Sequence, residues 1–197
     1  RPSIEGDPHV MRLHTDENST FAAGEDWHSD MSCDEAPPLG AILALHEVPK
    51  TGGDTLFSSM YEAYEWLSPA MKAFLEGLTA VHDGEQVYRH LNDDKTKVYP
   101  RNTHPVIRTH PVTGKKLLFV NPVYTTRIVE LSAAESDAVL AFLYKHNQNP
   151  NFQVRFKWQP DSIAFWDNRV CQHMAIWDYF PQRRSGFRVM VEGDRPV

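Results

Sequence analysis

Residues 152–158 set Phe152, Val154, Phe156 and Trp158 against Gln153, Arg155 and Lys157, apolar and polar in alternation. Successive side chains of an extended strand point to opposite faces, so this period predicts a strand with one buried face. Further β-rich runs cover residues 39–45, 116–120, 163–166 and 187–191, each bounded by Pro, Gly or Asn turns. Many short strands divided in this way predict a mainly β fold, a sandwich or jelly roll with helices on its outside, rather than α/β. The polar opening, through Asn18 and Ser19, lacks the pattern and is expected to be loop.

Two flanking helices are signalled. Ser68 caps a start with Pro69 at the first helical position, and Met71, Phe74, Leu75 and Leu78 follow at the spacing of one buried stripe. Ser132 and Glu135 form a capping box ahead of Val139, Phe142 and Leu143, and Asn149-Pro150 should stop that helix.

Nothing divides the chain: it has no repeat and no Gly/Ser linker, so residues 1–197 are expected to form a single domain. The net charge of −6 without clustered Lys/Arg argues against nucleic acid, and no apolar run reaches the ~18 residues a membrane helix needs. Cys33 and Cys171 are too few for a disulfide scaffold, and the opening Arg1-Pro2-Ser3-Ile4-Glu5-Gly6-Asp7-Pro8 has no apolar signal core. The expected location is therefore cytoplasmic; a homo-oligomer is expected only on the general frequency of dimers.

Two histidines and one carboxylate on one side of an ion make a mononuclear iron site that leaves the remaining positions open. His-x-Asp supplies two such ligands economically, because residues i and i+2 of a strand share a side. The triplet occurs twice, as His14-Thr15-Asp16 and His28-Ser29-Asp30. The first runs into the polar Glu17-Asn18-Ser19 and is expected to be plain surface; the second follows Trp27 and leads to Pro37-Pro38 and a strand, a more anchored setting. The third ligand is open among His9, His46, His82, His90, His104, His110, His146 and His173. His146 at a helix end suits a structural role. His173 stands out because it follows a strand and precedes two spaced arginines.

Those arginines, Arg184 and Arg188, are four apart and face one way in an extended stretch, with Phe187, Val189 and Val191 facing the other. Guanidinium forks bind carboxylates bidentately, at about 1.5–3 kcal/mol per charge-assisted bond. The pair suits an anion clamp, to which Thr55 adds a hydroxyl; a solvated strand edge or an ion pair with Asp178 is the alternative. Asn168 and Gln172 suit either support of a metal ligand or turn formation, and Met31, Cys33, Val123 and Tyr124 either a pocket lining or core.

Taken together, Trp27-His28-Ser29-Asp30, Pro37-Pro38, Gly52-Gly53-Asp54-Thr55, Tyr124-Thr125-Thr126-Arg127-Ile128-Val129, Trp166-Asp167-Asn168-Arg169, His173 and Pro181-Gln182-Arg183-Arg184 resemble the taurine dioxygenase family. The family comprises Fe(II)- and 2-oxoglutarate-dependent oxygenases, with alkylsulfatase and aryloxyalkanoate dioxygenases among its members. The resemblance runs from Trp27 to the end of the chain. It implies a distorted double-stranded β-helix, a cupin-like jelly roll. It implies that His28, Asp30 and His173 ligate iron, that Thr55 and Arg184 hold the distal carboxylate of 2-oxoglutarate, and that Arg188 faces an anionic group of the substrate.

The reaction so implied consumes 2-oxoglutarate and O2, yields succinate and CO2, and hydroxylates a small anionic molecule such as a sulfonate, sulfate ester, aryloxy acid or other carboxylic acid. Two departures stand out. The family carries a substantial portion ahead of its His-x-Asp motif, whereas His28 lies near the start of this sequence, and Gly24 occupies the position of the taurine enzyme's asparagine. Two other readings stay open: a zinc-type hydrolase using the same His/Asp/His set, and a noncatalytic, truncated β-sandwich relative.

Overall fold

The computed structural model describes residues 3–4, 7–91 and 94–197. The leaderless opening expected of residues 1–8 therefore falls partly, at 1–2 and 5–6, outside the described residues. In chain order the elements are β1 (Ser3–Ile4), β2 (Asp7–Thr15), β3 (Gly40–Glu47), β4 (Thr55–Ser59), α1 (Met60–Glu65), α2 (Pro69–Leu75), β5 (Thr79–Asp83), α3 (Glu85–Tyr88), β6 (Arg101–Pro105), β7 (Ile107–Thr109), β8 (Lys116–Leu118), β9 (Thr125–Ile128), α4 (Ala133–Asn147), β10 (Gln153–Phe156), β11 (Ser162–Asp167), β12 (Cys171–Ala175) and β13 (Arg184–Val191). The fold is mainly β, as the alternation predicts.

The largest sheet runs β1-β2-β13-β3-β11, and smaller sheets run β10-β4-β12, β6-β5-β9 and β7-β8. Every pairing among them is antiparallel. Alternation places Ala41, Leu43 and Leu45 of β3 beside Ala164 and Trp166 of β11 on the buried face, where they pack with Trp158 and Phe57. A second core lies under α1 and α4 and includes Met60, Leu75, Leu117, Leu118, Ile128 and Leu143. Gly186 allows β13 to sit against β3, since a Cβ there would lie 2.1 Å from the Ala44 carbonyl oxygen.

Both signalled helices form. Ser68 Oγ accepts from Met71 N at the start of α2, and α4 opens with the Ser132/Glu135 box and ends at Asn147. Their stripes are narrower than expected: Leu75 and Leu143 are buried, whereas Phe74 and Phe142 stay exposed and Leu78 lies beyond the helix.

Two expectations need correction. The opening is not all loop: β2 pairs with β13 from Thr15↔Arg184 to Val10↔Val189. Exposed Arg12 and His14 do alternate with Met11 and Leu13, but the pattern spans only a few residues between polar flanks, and its hydrogen bonds come from a strand some 170 residues away. The 152–158 run is likewise not one face of one strand. Phe152 packs into the second core, Phe156 and Trp158 reach the first, and Val154 is exposed, because β10 is an edge strand paired only with β4.

Candidate active site

His28 and His173 arrive from distant parts of the chain and are joined by their own backbones. His28 N donates to the His173 carbonyl at 3.1 Å and His173 N donates to the His28 carbonyl at 2.8 Å. This two-bond bridge sets the imidazoles 4.2 Å apart. Asp30 completes the group, with Oδ1 at 3.5 Å from His28 Nε2 and Oδ2 at 3.7 Å from His173 Nε2. One ligand atom from each residue lies within 4.8 Å of the others, and all three residues are buried. His28 Nδ1 donates to the Asp26 carbonyl at 2.7 Å, which leaves the Nε2 lone pair directed at the group. His173 packs against Phe57 and Trp166, its ring 6.0 and 4.9 Å from theirs.

The electrostatics favour a ligand set ready for a cation. Burial alone would raise the Asp30 carboxyl, but nearby positive charge, that of Arg188 first, outweighs it and holds it well below the usual carboxylate range. Burial, helped by repulsion from His28, pushes His173 down to about 3, so its imidazole is neutral. Asp30 Oδ2 is buried and accepts no hydrogen bond. An orphaned carboxylate oxygen beside two imidazole nitrogens is the donor chemistry of a 2-His-1-carboxylate centre, so these residues fit an iron ion.

The backbone of Asp30 is gripped from the turn between β11 and β12. Asn168 Oδ1 accepts from Asp30 N at 2.7 Å, and Asn168 Nδ2 donates to the carbonyls of Asp30 and Pro38, each at 3.0 Å. From the opposite side, Ser32 Oγ meets His82 Nδ1 at 3.0 Å and Asn121 Nδ2 at 2.9 Å, while Asn102 Nδ2 donates to the Cys33 carbonyl and His104 Nε2 to that of Asp34. Sequence reasoning left Asn168 between two roles and missed the His82, His104, Asn102 and Asn121 cradle. The available signal was His82 in the apolar run Thr79-Ala80-Val81, a polar residue on a strand's buried face.

The basic pair divides. Arg184 Nε donates to the Gly53 carbonyl at 3.1 Å and Arg184 Nη2 to Thr55 Oγ1 at 3.4 Å, so Arg184 and Thr55 meet across two sheets. Thr55 and Phe57 share a face of β4, and Phe57 pairs with His173, so the Thr55 hydroxyl looks toward the same space as the triad. Arg188 Nη2 lies 3.1 Å from Asp30 Oδ1. Asp178 pairs with Arg155 instead of either arginine.

Of the other candidate histidines, His9, His14, His46, His90, His110 and His146 fall away from the group. His14 and Asp16 face each other near the surface, and His9, His46 and His90 are exposed. His146 Nε2 donates to the Ala63 carbonyl at 2.7 Å, a structural tie between α4 and α1, and His110 Nε2 meets Asp167. Gln172 is buried and donates to the Val120 carbonyl, which ties β12 to the segment after β8. Cys33 and Tyr124 are buried, and the Tyr124 hydroxyl meets that of Tyr88 at 3.3 Å.

A profile of the Taurine catabolism dioxygenase TauD, TfdA family matches residues 2–190. An alpha-ketoglutarate-dependent sulfonate dioxygenase of Saccharomyces cerevisiae is 37% identical over 92% of this chain and 45% of its own length. An alpha-ketoglutarate-dependent sulfate ester dioxygenase of Pseudomonas putida is 31% identical over 100% of this chain and 68% of its own. A taurine dioxygenase structure from Burkholderia xenovorans superposes with a TM-score of 0.85 at 35% identity, covering 100% of this chain and 66% of that one. Several of the curated relatives are matched over only about half of their length. With a family match across nearly all of its residues, this chain belongs to the Taurine catabolism dioxygenase TauD, TfdA family.

Proposed function

We propose that residues 1–197 act as one oxygenase unit, a distorted double-stranded β-helix of the cupin-like kind, that hydroxylates a small anionic organic substrate with Fe(II), 2-oxoglutarate and O2. The observation that carries this reading is the adjacency of two features: the buried triad with its orphaned Asp30 Oδ2, and the Thr55/Arg184 clamp facing the same space. A zinc hydrolase would need only the first. His28, Asp30 and His173 hold the metal; Arg184 and Thr55 hold the distal carboxylate of 2-oxoglutarate. Iron with its cosubstrates supplies the oxidative decarboxylation to succinate and CO2 and the hydroxylation of a substrate C–H bond.

The protein's own part is positional. Phe57 and Trp166 exclude water from one side of His173, His28 keeps its Nε2 lone pair forward through the Asp26 bond, and Arg188 keeps Asp30 ionised while offering charge to the substrate's anion. The names of the relatives favour sulfonates and sulfate esters as the substrate class. No helix of the described residues is long and apolar enough to cross a membrane, and a cytoplasmic location agrees with that.

The test is succinate release from 2-oxoglutarate with Fe(II), ascorbate and oxygen, across sulfonates, sulfate esters, aryloxy acids and amino acids, for wild type and His173→Ala. Succinate that needs iron, oxygen and His173 is the expected result. A folded wild-type protein that releases none, with or without substrate, overturns the reading.

A further inference from the structure

We infer that Trp158 is a positioning residue for the anion clamp, and that it acts by fixing the direction of the Thr55 hydroxyl proton. The inference rests on the proposed function and extends it to a residue that touches neither metal nor cosubstrate. Trp158 lies between β10 and β11, is buried, and packs edge-on against Phe156 with ring centroids 4.7 Å apart. Its indole Nε1 donates to Thr55 Oγ1 at 3.0 Å. The Arg184 guanidinium lies over the same ring, 5.6 Å from its centroid. One side chain therefore touches both halves of the clamp, which come from strands of different sheets.

The chemistry follows from counting lone pairs. A threonine hydroxyl has one proton and two acceptor sites, whereas indole N–H and guanidinium only donate. Trp158 Nε1 and Arg184 Nη2 both donate to Thr55 Oγ1, at 3.0 and 3.4 Å. Its acceptor sites are thus taken, and among the described residues no hydrogen bond uses its proton. The hydroxyl presents a donor and nothing else. Beside it, Arg184 commits Nε to Gly53 and Nη2 to Thr55, and its Nη1 has no hydrogen bond among the described residues. A site made only of donors suits a group made only of acceptors, which is an ionised carboxylate. Without the indole N–H, the Thr55 hydroxyl is free to turn and to spend its proton elsewhere, and part of the preorganisation is lost.

The test measures 2-oxoglutarate binding to the Mn(II)-loaded protein by calorimetry, where binding is read without turnover. Trp158→Phe keeps a ring under Arg184 and removes the N–H. Its expected effect is a roughly 2- to 12-fold weaker Kd for 2-oxoglutarate, the loss of one hydrogen bond, with Mn(II) affinity unchanged. In a Thr55→Val background the same substitution should have no further effect, because the hydroxyl it directs is gone. If Trp158→Phe does not fold, 3-benzothienylalanine at position 158 removes the N–H with the ring shape kept, and the same shift is expected.

A weaker Kd of equal size in both backgrounds would mean that the ring acts by packing alone, and would overturn the inference. An unchanged Kd in the first background would do the same. Wild-type protein that binds Mn(II) but no 2-oxoglutarate would overturn the proposed function together with this inference, whereas wild-type binding with either of the two preceding results overturns the inference alone.

Discussion

The chain writes His-x-Asp twice, and the two copies end in different physical states. In both, the histidine Nε2 lies 3.5 Å from a carboxylate oxygen of the aspartate, so the pair distance is the same. In the first copy His14 and Asp16 keep side-chain exposures of 33% and 23%; in the second His28 and Asp30 keep 9% and 4%. Asp16 spends its carboxylate on its own turn, accepting from Asn18 N and Ser19 Oγ, and the Asn18 bond is the main reason its carboxyl is held low. Asp30 leaves Oδ2 unbonded and is held low, against its burial, by nearby positive charge, that of Arg188 first. Spacing therefore makes the pair, and distant chain makes the site: His173, Arg188 and Asn168 all lie at least 138 positions from Asp30.

The sharpest break of that comparison is His173→Ala. It should abolish measurable Mn(II) or Co(II) binding by calorimetry, while His14→Ala, in the look-alike triplet, leaves affinity as in wild type. Wild-type affinity in His173→Ala would show that the second copy owes nothing to its distant partner.

Next in size is Arg188→Met. Removing one member of a buried ion pair leaves Asp30 uncompensated, and about 3–5 kcal/mol should be lost from the stability of the metal-free protein, read by urea denaturation with chelator present. Saturating metal should restore part of it, because a cation replaces the missing charge.

Asn168→Ala tests the grip on the Asp30 backbone. Loss of its three hydrogen bonds should weaken metal binding about 10- to 100-fold, while the metal-free protein keeps its circular dichroism spectrum. Unchanged metal affinity would reduce Asn168 to a turn former.

The most gradual effect, read per pH unit, is a pH slope. Burial, with His104 beside it, pushes His82 down to about 3, below the ordinary histidine value of 6.5. Between those values the unfolded chain binds a proton that the folded chain does not, so stability falls as pH drops through that window and is complete above it. The slope from this group is at most about 1.4 kcal/mol per pH unit, and His82→Asn should flatten urea-derived stability between roughly pH 6.5 and 4. An identical slope in the variant would assign the acid sensitivity to other groups.

Legibility followed range of interaction. Helix starts at Ser68 and Ser132 were readable because caps are made within four residues, and β3 and β11 because each is a short apolar run bounded by turn residues. The second His-x-Asp and the spaced arginines were readable as residue types with chemistry, and the family's ordered motifs joined them into one candidate site. β2 was not read as a strand, since its alternation lasts only from Met11 to His14 between polar flanks and its partner is the distant β13. Nor was the cradle of His82, His104, Asn102 and Asn121, because a buried polar residue is recognisable only once its partners are in place.

By itself, then, the sequence determined a mainly β chain with two capped outer helices and a set of candidate metal- and anion-binding side chains. Only the tertiary structure showed how dry the His28/Asp30 pair is and how the backbone bridge brings His173 beside it. It also set Arg188 against Asp30 and tied Thr55 to both Trp158 and Arg184. The physical reason is that ligand geometry and charge compensation depend on contacts between strands more than a hundred residues apart. Those contacts form only when antiparallel pairing and core burial bring the sheets together.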